Sequence, residues 1–210
     1  MALRSVKAGL RDEQVTLPKP QFDSAASVES TLLKRRSVRE FRDVPLTLED
    51  LSQLLWAAQG ITNRAGFRTA PSAGALYPLE VYALVGNVPG LPAGLYHYIP
   101  HGHELLRIAD GDTRSSLVRA AYDQPSIAEA PAVLALCAVY ERVTEKYGER
   151  GLRYVHMEAG HAAQNVYLQA VSLHLGTVVL GAFDEKRVKD VLRLDGQAEP
   201  LYLMPVGRVR

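Results

Sequence analysis

From Thr47 the chain reads "TLEDLSQLLWAAQG", with apolar positions at Leu48, Leu51, Leu54, Leu55 and Ala58, the spacing of one helical face. Thr47 with Asp50 three residues later has the form of a capping box, and Gly60 supplies a stop. An earlier helix begins behind Ser27, whose hydroxyl suits an N-cap, with Glu29 at the positive end of the helix dipole. The period then shortens: "LEVYALVG" reads as a strand, and "GLYHYI" and "HELLRIA" follow around the turn-like "PHGH". "TRSSLVRAAY" predicts a short helix and "PAVLALCAVY" a strand. Residues 151–175 are apolar nearly all round, which predicts a central helix buried on most sides. "TVVLGAF" is a strand, "DEKRVKDVLRL" an amphipathic helix capped by Asp184, and "PLYLMPVG" a closing strand. Helices and strands mix without a regular βαβ rhythm, so the predicted class is α+β.

Residues 1–26, with Pro18 and Pro20 in a polar setting, read as an extended arm, and residues 27–210 as a single domain. The connection from Gly60 to Leu79 is long for a compact domain, and loops of that length are often functional. Hydrophobic content of 47% with 22% charged residues places the chain among folded globular proteins, and 210 residues can bury a substantial core. A formal net charge of +1 gives no global field for nucleic acid or an anionic membrane, and basic residues do not alternate with aromatics. "APAVLALCAVY" is too short to span a bilayer, and "MALRSVKAGLRDEQ" lacks a signal-type apolar segment, so a cytoplasmic location is expected. The single cysteine, Cys137, has no internal disulfide partner and reads as a small buried hydrophobe.

Against that near-neutral total, "LLKRRSVREF" crowds Lys34, Arg35, Arg36 and Arg39 together. Arg35 and Arg39, four apart on one face of a helix end, repel each other by a few tenths of a kcal/mol. A phosphate would reverse that sign, since guanidinium forks pair two oxygens and Ser37 can donate a hydroxyl. Cations that complement a helix C-terminus with their heads in water explain the same run, and composition alone favours that account. No GxGxxG follows a strand and no GxxxxGK[ST] occurs, so a phosphorylated ligand would have to be held by arginines and backbone amides.

In the long loop, Pro71, Ser72, Ala73 and Gly74 are small or rigid, which suits close approach of a planar ligand and equally an ordinary turn. Glu158 and His161 form one Glu-x-x-His pair, half of a di-iron carboxylate site, with no second pair to complete it, so no metal is assigned. His101 and His103 lie in a turn without partner ligands at zinc spacing and are expected in solvent. No Gly-x-Ser-x-Gly elbow is present. The small residues Ala159, Gly160, Ala162 and Ala163 permit close helix packing, in a core or at a two-fold interface.

Six segments in order, "LLKRRSVREF", "SAGALYPLEVY", "LYHYIP", "AEAPAVLAL", "EAGHAAQNVYLQAVSLHLGTVVLGAFD" and "LMPVGR", resemble the nitroreductase superfamily, and most closely its SagB/ThcOx-type dehydrogenase branch. The resemblance runs from about Val15 to Arg210. It implies a homodimer with a mainly antiparallel sheet flanked by helices, binding FMN at the subunit interface. It also implies roles for residues. Arg35, Arg36, Ser37, Arg39 and Arg208 would hold the phosphate and ribityl end. Pro71, Ser72, Ala73 and Gly74 would reach the partner's flavin. Gln124 would pair with the pyrimidine edge. The amides of Leu180, Gly181 and Ala182 would lie near N5, and Leu76 and Tyr77 would face the substrate pocket. The implied activity is hydride transfer through flavin N5 between reduced nicotinamide, NAD(P)H, and a small-molecule acceptor, or oxidation of a heterocyclic substrate. A non-catalytic flavin-holding or regulatory subunit and a metal-dependent oxidoreductase are the alternatives. The chain is shorter than the peptide-modifying members of that branch, which favours a small-molecule substrate. No catalytic side chain is assigned.

Overall fold

A computed structural model describes residues 14–194 and 196–210; the first thirteen residues of the expected arm lie outside the described residues. Among the described residues seven strands form one sheet in the order β1-β4-β3-β2-β5-β7-β6, with every neighbouring pair antiparallel. The strands are β1 (Gln14–Thr16), β2 (Leu79–Val85), β3 (Gly94–Ile99), β4 (Glu104–Asp110), β5 (Ala132–Val139), β6 (Leu175–Thr177) and β7 (Ala198–Arg208). The helices are α1 (Val28–Lys34), α2 (Leu48–Gln59), α3 (Arg114–Ala120), α4 (Pro125–Glu129), α5 (Glu141–Tyr147), α6 (Arg150–Ser172) and α7 (Glu185–Leu192).

Helices cover both faces of the sheet, and side-chain alternation sorts the central strands between two cores. On β5, Ala132, Leu134, Leu136 and Ala138 join α2 and α6 in one core. Val133, Ala135 and Cys137 face the other way, toward Leu117, Ile127, Val188 and Leu192 of α3, α4 and α7. A strand buried on both faces reads as a continuous apolar run, which is why "PAVLALCAVY" shows no alternation in the sequence. Cys137 is fully buried there, and burial pushes its thiol up, out of reach of the thiolate form.

The predicted caps form as the sequence reads. Ser27 Oγ accepts from Ser30 N–H at 3.1 Å, Thr47 Oγ1 from Asp50 N–H at 3.0 Å, and Asp184 Oδ1 from Arg187 N–H at 3.0 Å. The capping box at Thr47 is half made, because the Asp50 carboxylate turns away to Arg208 at 2.9 Å.

Four expectations change. The first helix ends at Lys34, so Arg39 is not on it. Sheet pairing of "TVVLGAF" stops at Thr177, with Leu180 alone bridging back to Leu203. α6 is not buried all round: Val155, Glu158, Ala159, Ala162, Val166 and Ala170 face inward, while Arg153, His156, Gly160 and His161 are exposed. His103 is drawn out of solvent, because the ring satisfies both nitrogens. Its Nε2 lies 2.8 Å from Ser52 Oγ and 2.9 Å from the Pro18 carbonyl, and its Nδ1 lies 2.9 Å from the Tyr98 hydroxyl. That cluster fastens the arm to α2 beside β1.

After α1 the chain lies alongside β6, with Ser37 bridging Thr177 in parallel and Val38 N–H donating to the Thr177 carbonyl at 2.9 Å. Val38 packs on Gly176, where an added Cβ would lie 2.7 Å from the valine side chain. Gly176→Ala is therefore expected to destabilise the protein by roughly 1–3 kcal/mol through overpacking. A thermal melt followed by circular dichroism checks this, and an unchanged melting temperature contradicts the contact.

Candidate functional site

The cationic segment is grouped by extended backbone rather than by a helix. Arg35 already has φ −53° and ψ 123°, so successive side chains alternate in direction. Arg35 and Ser37 point to one side and share Tyr167: the Arg35 guanidinium lies 5.2 Å from the Tyr167 ring centroid, and Ser37 Oγ is 3.1 Å from the Tyr167 hydroxyl. Val38 turns inward onto Gly176, and Arg39 follows it as an exposed residue. Arg36 is spent on the chain itself, donating to the Leu33 and Arg35 carbonyls at 3.0 and 2.8 Å and closing the end of α1. The structure thus takes Arg36 out of the candidate set, and no carboxylate pairs with Arg35 or Arg39 among the described residues.

Tyr167 also ties in the segment after β6, its hydroxyl accepting from Val179 N–H at 2.9 Å. Two residues on, Gly181 and Ala182 are exposed, and an added Cβ at Gly181 would meet nothing nearer than Tyr202 at 3.8 Å. Their N–H groups make no backbone bond among the described residues, whereas Leu180 N–H is committed to the Leu203 carbonyl at 2.9 Å. Leu180 is therefore a backbone anchor and offers no donor. Gln124 is half-buried at the α3–α4 turn, four residues after Ala120, whose carbonyl accepts from Asp184 N–H at 2.8 Å. Arg208 reaches Asp50 Oδ2 at 2.9 Å and the Leu173 carbonyl at 2.6 Å. It clamps β7 to α2 and to the C-terminus of α6, where a cation also complements the helix dipole. As a phosphate cation it is already partly neutralised.

The loop residues lie elsewhere. Asn165 Nδ2 donates to the Thr69 carbonyl, and the turn Ala73–Ala75 packs near Glu158. Residues 158 and 167 are nine positions apart on α6, about 14 Å along its axis. Within one chain, then, Pro71–Gly74 and the Arg35–Ser37 cluster sit at separate stations of the same helix. Tyr77 does not project freely. Its N–H donates to Ser72 Oγ at 2.9 Å, its carbonyl accepts from Arg142, and its hydroxyl accepts from Arg68 N–H at 3.3 Å. The Arg68 guanidinium covers its ring at 4.6 Å and donates to Gln59 Oε1 at 2.7 Å. Leu76 is half-buried against the α2–α6 core. Gly74, Ala75 and Tyr77 all have positive φ, of 64°, 54° and 48°, a strained run that only a dense set of contacts sustains.

Sequence reasoning missed the groups around this loop. A Cβ on Gly74 would lie 2.7 Å from the Tyr147 hydroxyl and 3.0 Å from Lys146 Nζ, so a phenol and an ammonium close over the glycine. Glu80 holds Arg142 and His97, at 2.7 Å for the histidine. Each of these residues fits its own element's pattern, so no local signal marks it. Glu158 and His161 do not share a ligand: one is buried and the other exposed, and among the described residues no group of three or more His, Cys, Asp or Glu is placed to hold a metal. A cleft of about 800 Å³ is a further surprise. It lies between the arm, α1, α2 and the C-terminal half of α6, with Phe22 and Trp56 as its aromatic walls, and contains none of the predicted residues.

With this geometry in view, comparison with known proteins is direct. A model of the nitroreductase family matches residues 32–208. MJ1384 of Methanocaldococcus jannaschii, a nitroreductase by its name, is 54% identical over 181 residues, covering 86% of this chain and 90% of the relative. McbC of Escherichia coli, a microcin B17-processing protein, is 34% identical over 149 residues, covering 68% of this chain and 54% of that protein. A crystal structure from Ralstonia eutropha, also named a nitroreductase, superposes with a TM-score of 0.83 at 32% identity over 97% of this chain and 96% of that one. The chain belongs to the nitroreductase family, and with it to the oxidoreductases. No helix among the described residues is long and apolar enough to cross a membrane.

Glu158 is 2% exposed, and burial raises its carboxyl from the ordinary 4.5 to about 7, with Ser72, Arg68 and Gln59 pulling it partly back. The folded state thus holds a proton that the unfolded chain releases, so stability falls as pH rises from about 4.5 through about 7. Glu158→Gln removes this cost. It is expected to gain up to about 3 kcal/mol at pH 8 and nothing at pH 4, by denaturant unfolding at the two pH values. An equal effect at both pH values contradicts the assignment.

Proposed function

We propose that the protein is an FMN-dependent oxidoreductase that works as a homodimer, passing reducing equivalents between reduced nicotinamide and a small-molecule acceptor. The observation that carries this reading is the meeting of Arg35 and Ser37 at Tyr167, with Arg39 exposed two residues on. Two guanidinium groups have no carboxylate partner among the described residues, and the Tyr167 hydroxyl that meets Ser37 also takes the Val179 N–H, two residues before the exposed Gly181 and Ala182. That donor set fits a phosphate ester joined to a planar ring: charge and forked geometry for the phosphate, neutral N–H groups and open space for the ring. Bound FMN would supply the two-electron chemistry. The chain supplies position and electrostatics. Arg35 and Arg39 hold the anion, Ser37 is aligned by Tyr167, Gly181 and Ala182 offer donors, and Gln124 has an amide that both donates and accepts.

Two features support a second copy. Phe22 and Leu33 are 80% and 74% exposed, and Val28, Leu32, Leu152 and Met157 add to an uncovered apolar surface on the arm, α1 and α6. The helix-length gap between Pro71–Gly74 and the Arg35 cluster is bridged if each chain's loop serves its partner's arginines. The likeness to McbC favours oxidation of a heterocycle as the second form of the same chemistry, with the peptide-processing context belonging to that larger protein.

The purified protein is expected to be yellow, with FMN as the released chromophore, and to oxidise NADH or NADPH in the presence of an acceptor. A preparation that stays colourless after FMN is added refutes the reading, and a yellow one without turnover makes the chain a flavin-holding subunit. Replacing Arg35 and Arg39 together by alanine should weaken FMN binding by roughly 100-fold or more without lowering the melting temperature, since each of the two charged contacts contributes about 1.5–3 kcal/mol. Arg36→Ala should leave affinity unchanged; fluorescence titration of FMN reads both.

Sedimentation should give twice the chain mass. Co-expressing the Arg35/Arg39 double variant with a Ser72→Tyr, Gly74→Trp loop variant should restore FMN binding to a fraction of the mixed dimers. No recovery in verified mixed dimers means that each site is built within one chain.

A further inference from the structure

Glu158 takes no part in the proposed site, yet it lies beneath the loop that would complete that site. It comes from the inner face of α6, and its Oε1 has no hydrogen-bond partner; neither has Nε2 of Gln59, the α2 side chain beside it. The surrounding elements bring few charges to it. The loop contributes Arg68 and the Ser72 hydroxyl, and α2 contributes only the neutral Gln59. Glu80 of β2 and Arg142 of α5 act on Arg68 but are bound to each other, with His97 of β3 as the second partner of Glu80. Lys146 and Tyr147 of α5 lie across Gly74, and His156 and His161 of α6 point outward.

The distribution of Arg68's contacts identifies the protonation state. Its guanidinium bonds the neutral Gln59 Oε1 at 2.7 Å and covers Tyr77, rather than pairing with the carboxyl beside it. An ionised, buried carboxylate with an unbonded oxygen would draw the one neighbouring cation that has no carboxylate partner. The arrangement is that of a neutral acid. Ser72 is the mechanical link, because the hydroxyl beside Glu158 also accepts the Tyr77 N–H that fixes the left-handed backbone at that residue.

We propose that Glu158 is the positioning residue of loop 68–77: it holds the loop in this shape while its carboxyl carries a proton, and releases it when that proton passes to solvent and Arg68 leaves Tyr77 to pair with the carboxylate. The surface that the loop offers to a ligand is then controlled by one buried proton. Only the identity of that ligand rests on the function proposed above; the loop's response belongs to the chain itself.

Hydrogen–deuterium exchange of the purified chain between pH 5.5 and 8.5, with rates corrected for intrinsic pH dependence and measured without and with FMN, tests this. Peptides covering residues 68–77 should lose protection about ten-fold or more as pH rises through about 7, the value at which the carboxyl titrates, and by more than β5 peptides, which follow only the global stability. Glu158→Gln should be protected across the range, and Glu158→Ala unprotected throughout. A loop that does not respond to pH, a step that persists in Glu158→Gln, or a parallel loss in β5 overturns the proposal. The FMN-free arm yields its answer even if flavin does not bind, so failure of the functional reading and failure of this one remain distinct.

Discussion

The packing of α6 against the sheet is the constraint on which the rest depends. Ala159, Ala162, Ala163 and Ala170 give the helix a narrow inner face, so it can lie close to α2 and the strands without large side chains holding it away. Several candidate residues take their place from that helix. Tyr167 orients Arg35 and Ser37, Asn165 and Glu158 meet the loop, and the Leu173 carbonyl at its end receives Arg208. A shift in the register of α6 by one turn would move both halves of the site together by about 5 Å relative to the sheet.

How each guanidinium is employed separates architecture from candidate chemistry. Arg36 closes a helix, Arg208 joins three elements through Asp50 and Leu173, Arg142 is tied to Glu80, and Arg68 braces Tyr77. Each has committed part of its donor set, or the face of its guanidinium, to the fold. Arg35 and Arg39 are left with no carboxylate among the described residues. The functional reading follows from this contrast more than from the number of cations.

The same contrast holds for the acids. Asp50 and Glu80 are paired, whereas Glu158 is buried with an open oxygen near the left-handed backbone of Ala75 and Tyr77. Strained backbone and an incompletely bonded carboxyl in one place are both expensive, and both are sustained by the dense packing of α2, α5 and α6 around them.

Much of this was legible along the chain, because caps and periodicity act over a few residues. Ser27, Thr47, Gly60 and Asp184 mark helix ends by local hydrogen bonds, and the apolar runs identify β2, β5 and β7 directly. The segment 35–39 was assigned to a helix because its charges repeat at four, yet the pairing of Ser37 with Thr177, some 140 residues away, makes it extended. The helical period groups Arg35 with Arg39, whereas Ser37 meets Arg35 at Tyr167 only because the backbone there is extended. What the tertiary structure alone decided is which polar groups are already spoken for: Arg208 by Asp50, Leu180 N–H by Leu203, Tyr77 by Arg68 and Arg142, His103 by Ser52 and Tyr98. Those partners are distant in sequence or belong to a different element, and a side chain's freedom to bind depends on what has reached it in space, which no local pattern of residues encodes.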